Sequence, residues 1–282
     1  MNIFKKFKHL SNLTNNEEIL INYIDKYPKE FISLKPKEIS AKIHVSVPTI
    51  YRLINKLGLS GINDLKVEIR TYLKNRDNIK IENIDYPILP TDTHYDVMLK
   101  LKEVYGETIN DTLDLADPET LVKVCEQMLK AKNIDIYTSA ANVFFAENFK
   151  FQMQEINVMV NVPKEDYVQR LSAANSNSSH VAIVISFGGR GHAFKDLVKI
   201  LKNNNTTIVL ITSTEENPLL EYADYKIFMS SSENHYNKIS SFSTRMTLLY
   251  ILDTLYANYF KMDYENNINR KIGTYKKINS NV

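Results

Sequence analysis

Two domains of different class are predicted: an N-terminal all-α helix-turn-helix domain, followed by an α/β domain built on a parallel sheet. Three observations predict them. The first quarter of the chain shows helical periods punctuated by turn residues, while the remainder alternates short β-branched runs with helical stretches. Charge divides the same way: residues 1–78 carry 14 Lys and Arg against 8 Asp and Glu, a net of +6, and the rest carry 21 against 25, a net of −4. A basic module joined to a mildly acidic one suggests that only the first faces a polyanion.

The 282 residues are 44% hydrophobic and 24% charged, enough apolar mass for real cores and too much for wholesale disorder. No apolar run is long enough for a membrane span, and Met1-Asn2-Ile3-Phe4-Lys5-Lys6 lacks the apolar stretch of a secretory signal, so the cytoplasm is expected. The single cysteine, Cys125, excludes an internal disulfide framework and is expected to be a small buried hydrophobe. The six histidines form no closely spaced pair, so neither a metal nor another cofactor is assigned.

Thr14 and Glu17 have capping-box spacing and open a helix through residue 26, with Ile19, Tyr23 and Ile24 inward and Tyr27-Pro28 ending it. Pro36 fits the first turn of the next helix, which carries Ile39 and Ile43 inward. A tight turn at His44-Val45-Ser46 leads to a helix over residues 47–57, with Ser46 as N-cap and Gly58 as the left-handed stop. His44 takes the turn position where a left-handed residue is needed, and Ala41 is expected where the two helices approach most closely. Val45, Ile50 and Leu53 would face inward. That leaves Ser46, Val47, Pro48, Thr49, Tyr51, Arg52 and Lys56 on the outer side as candidate DNA contacts. A further helix over residues 62–74 would bury Leu65 and Ile69, and residues 79–91, with Pro87 and Pro90, read as a linker.

Helices are expected over residues 95–115 and 118–132, the second capped by Asp117. Four or five strands follow, at residues 134–138, 158–162, 181–186, 207–212 and 225–229. Runs such as Val181-Ala182-Ile183-Val184-Ile185 suit strands covered on both faces, hence a parallel, doubly wound sheet. The last long helix, 240–261, is apolar nearly all round and should be deeply packed or lie in a subunit interface.

Three of the seven glycines fall at positions 188, 189 and 191, in Ser186-Phe187-Gly188-Gly189-Arg190-Gly191 after a buried strand. Successive backbone N–H groups in such a loop, at the carboxyl end of a parallel strand, form an anion-binding concavity, and Arg190 could add a charge-assisted contact. The spacing is not that of a dinucleotide fingerprint or a P-loop. Glu147, on the helix after the first strand, is read as a solvated or ion-paired residue.

Taken in order, these motifs resemble the RpiR-type bacterial transcription regulators. The carriers are Val45-Ser46-Val47-Pro48-Thr49-Ile50-Tyr51-Arg52, Lys56-Leu57-Gly58-Leu59-Ser60-Gly61, Asp64-Leu65-Lys66, Thr108-Ile109-Asn110-Asp111-Thr112, Asp135-Ile136-Tyr137, Ile185-Ser186, Ile211-Thr212-Ser213 and Ser240-Ser241-Phe242-Ser243-Thr244-Arg245. The resemblance implies an all-α helix-turn-helix domain over residues 1–78 and, over 92–282, an α/β three-layer SIS-type domain with a five-stranded parallel sheet. It further implies double-stranded DNA with a near-palindromic operator, a phosphorylated sugar or related anion as effector, a homodimer or higher homo-oligomer, and no membrane partner. Effector contacts would come from Ser139, Asn142, Ser186, Gly188, Gly189, Arg190, Gly191 and Ser241.

The chain departs from the family at two loops. Thr138-Ser139-Ala140-Ala141-Asn142 stands where the family has a loop like G-x-G-x-S. Gly188 and Gly191 replace hydroxyl-bearing residues of a loop like S-x-S-G-x-T. A sugar-phosphate isomerase needs a positioned base and a phosphate grip, and the sequence offers no convincing base, so a regulator rather than an enzyme is expected. A regulator whose second domain serves dimerisation alone is the remaining reading.

Overall fold

The computed structural model describes residues 3, 6–7, 10, 12–77, 81–189, 192–230 and 232–279. It divides into two compact units, Met1–Lys80 and Ile81–Val282.

The first unit is helical: α1 (Asn15–Lys26), α2 (Pro28–Ser33), α3 (Pro36–Ile43), α4 (Val47–Lys56) and α5 (Ile62–Asp77). Thr14 and Glu17 close the expected capping box on α1. The inward face is turned by one position from the expectation. Leu20 is buried beside Tyr23 and Ile24, while Ile19 is exposed. Pro28 does more than stop α1: it occupies the first turn of α2, which the sequence reading missed, and α2 buries Phe31. The core joins Phe31, Ile39, Ile50, Leu53, Leu65 and Ile69 from four helices.

The second unit carries a five-stranded, all-parallel sheet in the order β2-β1-β3-β4-β5. The strands are β1 (Asn133–Tyr137), β2 (Val160–Asn161), β3 (His180–Ile185), β4 (Thr207–Ser213) and β5 (Tyr225–Met229). The helices are α6 (His94–Asp114), α7 (Pro118–Lys130), α8 (Asn142–Glu155), α9 (Asp166–Ala174), α10 (His192–Asn203), α11 (Phe242–Met262) and α12 (Tyr264–Ile278). Alternation along the strands sends Ile134, Ile136, Ile183 and Ile211 to a face covered by α7, α8 and α11, and Tyr137, Val184 and Leu210 to one covered by α9 and α10. The result is three layers. Cys125 is buried under α11, where burial raises its thiol to about 11, an inert environment.

α11 is deeply packed within its own chain: Leu248, Ile251, Leu252 and Leu255 are buried against the sheet and α8. α12 was not expected. It has few apolar residues, buries only Asn267, and is tied back to α8 by Lys271, whose Nζ lies 2.9 Å from Glu155. No helix among the described residues is long and apolar enough to cross a membrane, and no group of metal-ligating side chains occurs among them.

Candidate functional site

Two sites follow from the fold, one in each unit. In the first, α3 ends at His44, whose backbone takes the left-handed conformation at φ 55 and ψ 37. That single residue turns the chain, as the sequence suggested. Ser46 then caps α4, its Oγ accepting from Thr49 N–H at 3.3 Å. Gly58, at φ +72, lets the chain reverse so that Leu59 N–H reaches the Ile54 carbonyl at 3.1 Å.

Val45, Ile50, Leu53 and Ile54 face the core. Ser46, Pro48, Tyr51, Arg52 and Lys56 are exposed, and Val47 is half-buried. Two expectations are corrected. Thr49 is 5% exposed and its hydroxyl is taken up by Ser46 Oγ at 2.9 Å, so it belongs to the cap and not to the outer face. Ala41 is exposed, because two residues past the inward Ile39 a helix has turned to the far side. Asn55, four residues after Tyr51 and also exposed, was missed although helical spacing places it on the same face.

The outer cations are not independent. Glu17 of α1 is fully buried, and its carboxylate receives Arg52 Nε at 3.0 Å, Lys56 Nζ at 2.8 Å, and Thr14 N–H and Oγ1 at 2.8 and 3.0 Å. Burial alone would push this carboxyl up, but the donors, Lys56 foremost, outweigh it and bring it down to about 2.

In the second unit, the loops at the carboxyl ends of β1 and β3 lie side by side, joined by Thr138 Oγ1 donating to the Ile185 carbonyl at 3.2 Å. Ser139 is exposed and Asn142 half-buried on the first loop; Ser186 and Gly188 are half-buried on the second. The Phe187 carbonyl accepts from Thr212 Oγ1 at 2.9 Å and Ser213 Oγ at 2.8 Å, which fixes the loop to the end of β4. Arg190 and Gly191 lie outside the described residues.

Gly189 is required where it stands. Its φ is +61, and a Cβ there would sit 1.7 Å from Asn217 Oδ1. Asn217 cannot swing away, since it is buried, donates to Thr212 Oγ1 at 2.7 Å and accepts from Leu219 N–H at 2.8 Å. Gly189→Ala is therefore expected to lower stability by about 2–3 kcal/mol, read from the urea-unfolding midpoint.

Ser241 stands at the N-cap of α11 but makes no side-chain cap bond. The cap comes from Glu233, which sequence reasoning missed. This buried carboxylate accepts from Thr244 N–H at 2.9 Å and pairs with Lys238 Nζ at 2.7 Å. Two residues on, His235 stacks on Phe187 with ring centroids 6.0 Å apart, bringing the segment before α11 to the glycine-bearing loop. Ser243 Oγ, also buried, has no hydrogen-bond partner among the described residues. A cavity of about 410 Å³ runs along β5, and none of the expected effector residues among the described ones lines it. Glu147 is ion-paired with Lys164 at 3.2 Å and Lys150 at 3.6 Å.

Residues 1–76 match the helix-turn-helix domain of the rpiR family, and residues 127–256 match the SIS domain. A Haemophilus influenzae protein described as an uncharacterized HTH-type transcriptional regulator is 26% identical over 91% of this chain and 89% of its own length. The Bacillus subtilis regulator YbbH, described in the same way, is 24% identical over 93% of this chain and 91% of its own. Among solved structures, the Vibrio vulnificus NanR protein complexed with ManNAc-6P aligns over 100% of this chain and 99% of its own, with a TM-score of 0.60 at 14% identity. The sugar isomerase domain of an RpiR transcription factor from Sphaerobacter thermophilus covers 64% of this chain and 98% of its own, with a TM-score of 0.57 at 13% identity.

Proposed function

The chain belongs to the RpiR-type transcriptional regulators, a helix-turn-helix domain and a SIS domain in one polypeptide, and from that premise we propose that it binds operator DNA in the cytoplasm under the control of a phosphorylated sugar or related anion. Residues 1–78 read the DNA, 79–91 join the parts, and 92–282 bind the effector and dimerise. The observation that carries the DNA half is α4 itself, capped at Ser46 and presenting Ser46, Pro48, Tyr51 and Arg52 to solvent from a rigid turn. The relatives carry the names of transcriptional regulators rather than enzymes, which favours regulation over catalysis.

The effector half is supported by the loop geometry and by the ManNAc-6P bound to the Vibrio protein of like fold. Backbone amides at the end of β3 can meet an anion even where side-chain hydroxyls are missing. Ser139, Asn142, Ser186, Gly188, Gly189, Gly191 and Ser241 would surround it. Arg190, the one charged residue between 186 and 191, would supply a charge-assisted bond. Isothermal titration of phosphorylated sugars into the full chain tests this. Binding at or below millimolar concentration, weakened by about tenfold in Arg190→Ala, is the expected result. The absence of binding across the panel would defeat it.

A two-fold operator calls for a two-fold protein. Met98 on α6 and Phe144 and Phe151 on α8 are 67%, 77% and 60% exposed, apolar side chains suited to self-association. Light scattering of the full chain at micromolar concentration should give a dimer or larger; a monomer contradicts it.

A further inference from the structure

We propose that Glu17 is the positioning residue of the DNA-contacting helix, holding Arg52 by one edge so that its other edge meets a DNA phosphate, and drawing Lys56 inward so that it braces the fold instead of touching DNA. This rests on the reading of α4 as the helix that contacts DNA.

The two cations are held differently. Lys56 Nζ makes two short bonds, to Glu17 Oε2 at 2.8 Å and to the Asn12 carbonyl at 2.8 Å, and its side chain is 30% exposed. Two of its three protons are therefore directed into the protein. Asn12 itself is left-handed, at φ 57, so Lys56 clamps the turn that leads into α1. Arg52 gives Glu17 only its Nε edge, at 3.0 Å, and reaches Thr14 Oγ1 weakly at 3.4 Å with Nη2. Its side chain is 53% exposed, and Nη1 has no partner among the described residues. A guanidinium fixed on one edge by a carboxylate and open on the other is oriented for a phosphate.

Glu17 also accepts both the N–H and the hydroxyl of Thr14, so the cap of α1 and the outer face of α4 meet on one carboxylate. The same acid that begins the first helix thus sets the geometry of the fourth. Burial makes that geometry specific, because a fully desolvated carboxylate keeps its donors in place.

The sign of the effect separates positioning from simple charge. Glu17→Gln removes a negative charge, so electrostatics alone would tighten binding to DNA. Positioning requires the opposite. The probe is a duplex selected by the wild-type full chain from a random-sequence pool, with affinity measured by fluorescence anisotropy across salt concentrations. Glu17→Gln should weaken binding by about tenfold, and the same substitution in an Arg52→Ala background should change it by less than about twofold. Independently of how Glu17→Gln folds, the plot of log affinity against log salt should lose about 0.9 in slope in Arg52→Ala and be unchanged in Lys56→Ala. Binding by Glu17→Gln as tight as or tighter than wild type, with its fold intact by circular dichroism, overturns the proposal. So does a Lys56→Ala slope that falls as far as that of Arg52→Ala. A pool from which the wild-type chain enriches no duplex overturns the DNA reading and this inference with it.

Discussion

Replacing Tyr51 and Arg52 together by alanine should weaken operator binding by about a hundredfold, the sum of two contacts of about 1–3 kcal/mol each. Both side chains stand on the exposed face of α4, and Tyr51 is 40% exposed with no part in the core. Tyr51→Ala alone leaves the Glu17 cluster intact, so any loss it produces is a loss of contact and not of fold. The double variant should also flatten the salt dependence, because one phosphate contact is removed. Anisotropy titrations at two or more salt concentrations check both expectations, and unchanged affinity in the double variant would remove α4 from the DNA interface.

Acid should strip the first unit of stability through Glu17. Its carboxyl titrates at about 2 when folded, against an ordinary 4.5, so the unfolded chain binds the proton more tightly. The contribution is therefore fully present above about pH 4.5 and is lost as the pH falls from there towards 2. Its size is on the order of 2–3 kcal/mol, given that Glu17 is buried while both cationic partners are partly solvated. Other carboxylates, such as Asp92 and Asp117, are also held low by their hydrogen bonds. The comparison with Glu17→Gln isolates the one that matters. In urea unfolding from pH 6 to pH 3, wild type should lose more stability than the variant, and the curves should converge at the acid end. Parallel curves would show that the carboxylate is not coupled to folding as its surroundings require.

Local chemistry was legible in the sequence where one residue decides one backbone conformation. His44 in the left-handed turn, Ser46 as cap and Gly58 as stop were each readable, because their effects do not extend beyond the adjacent turn. The parallel sheet was readable for a related reason: strands covered on both faces need uninterrupted apolar runs, and β3 and β4 have them. α2 was missed because Pro28 was read as the end of one helix when it is also the start of the next. α12 was missed because polar contacts to Glu155, rather than an apolar stripe, hold it.

The candidate sites were legible in outline and not in partnership. Glu17 sits in a capping box and looks like a purely local device; its other partners lie 35 and 39 residues away. Glu233 caps α11 from a loop eleven residues before Thr244, beyond the reach of any helix-start pattern. Thr49 was placed outward by counting exposed positions, but its hydroxyl had a nearer use in the cap of its own helix. Sequence spacing orders residues along one element, whereas a buried charge draws its partners from several.

An anionic sugar should change the affinity of the whole chain for its DNA. The measurement is an operator titration of the full chain with and without millimolar phosphorylated sugars, ManNAc-6P among them, alongside the same sugars without phosphate. Coupling between the two domains predicts a change of about fivefold or more for at least one phosphorylated sugar and none for its neutral parent. Operator affinity that stays the same across the entire panel would contradict it.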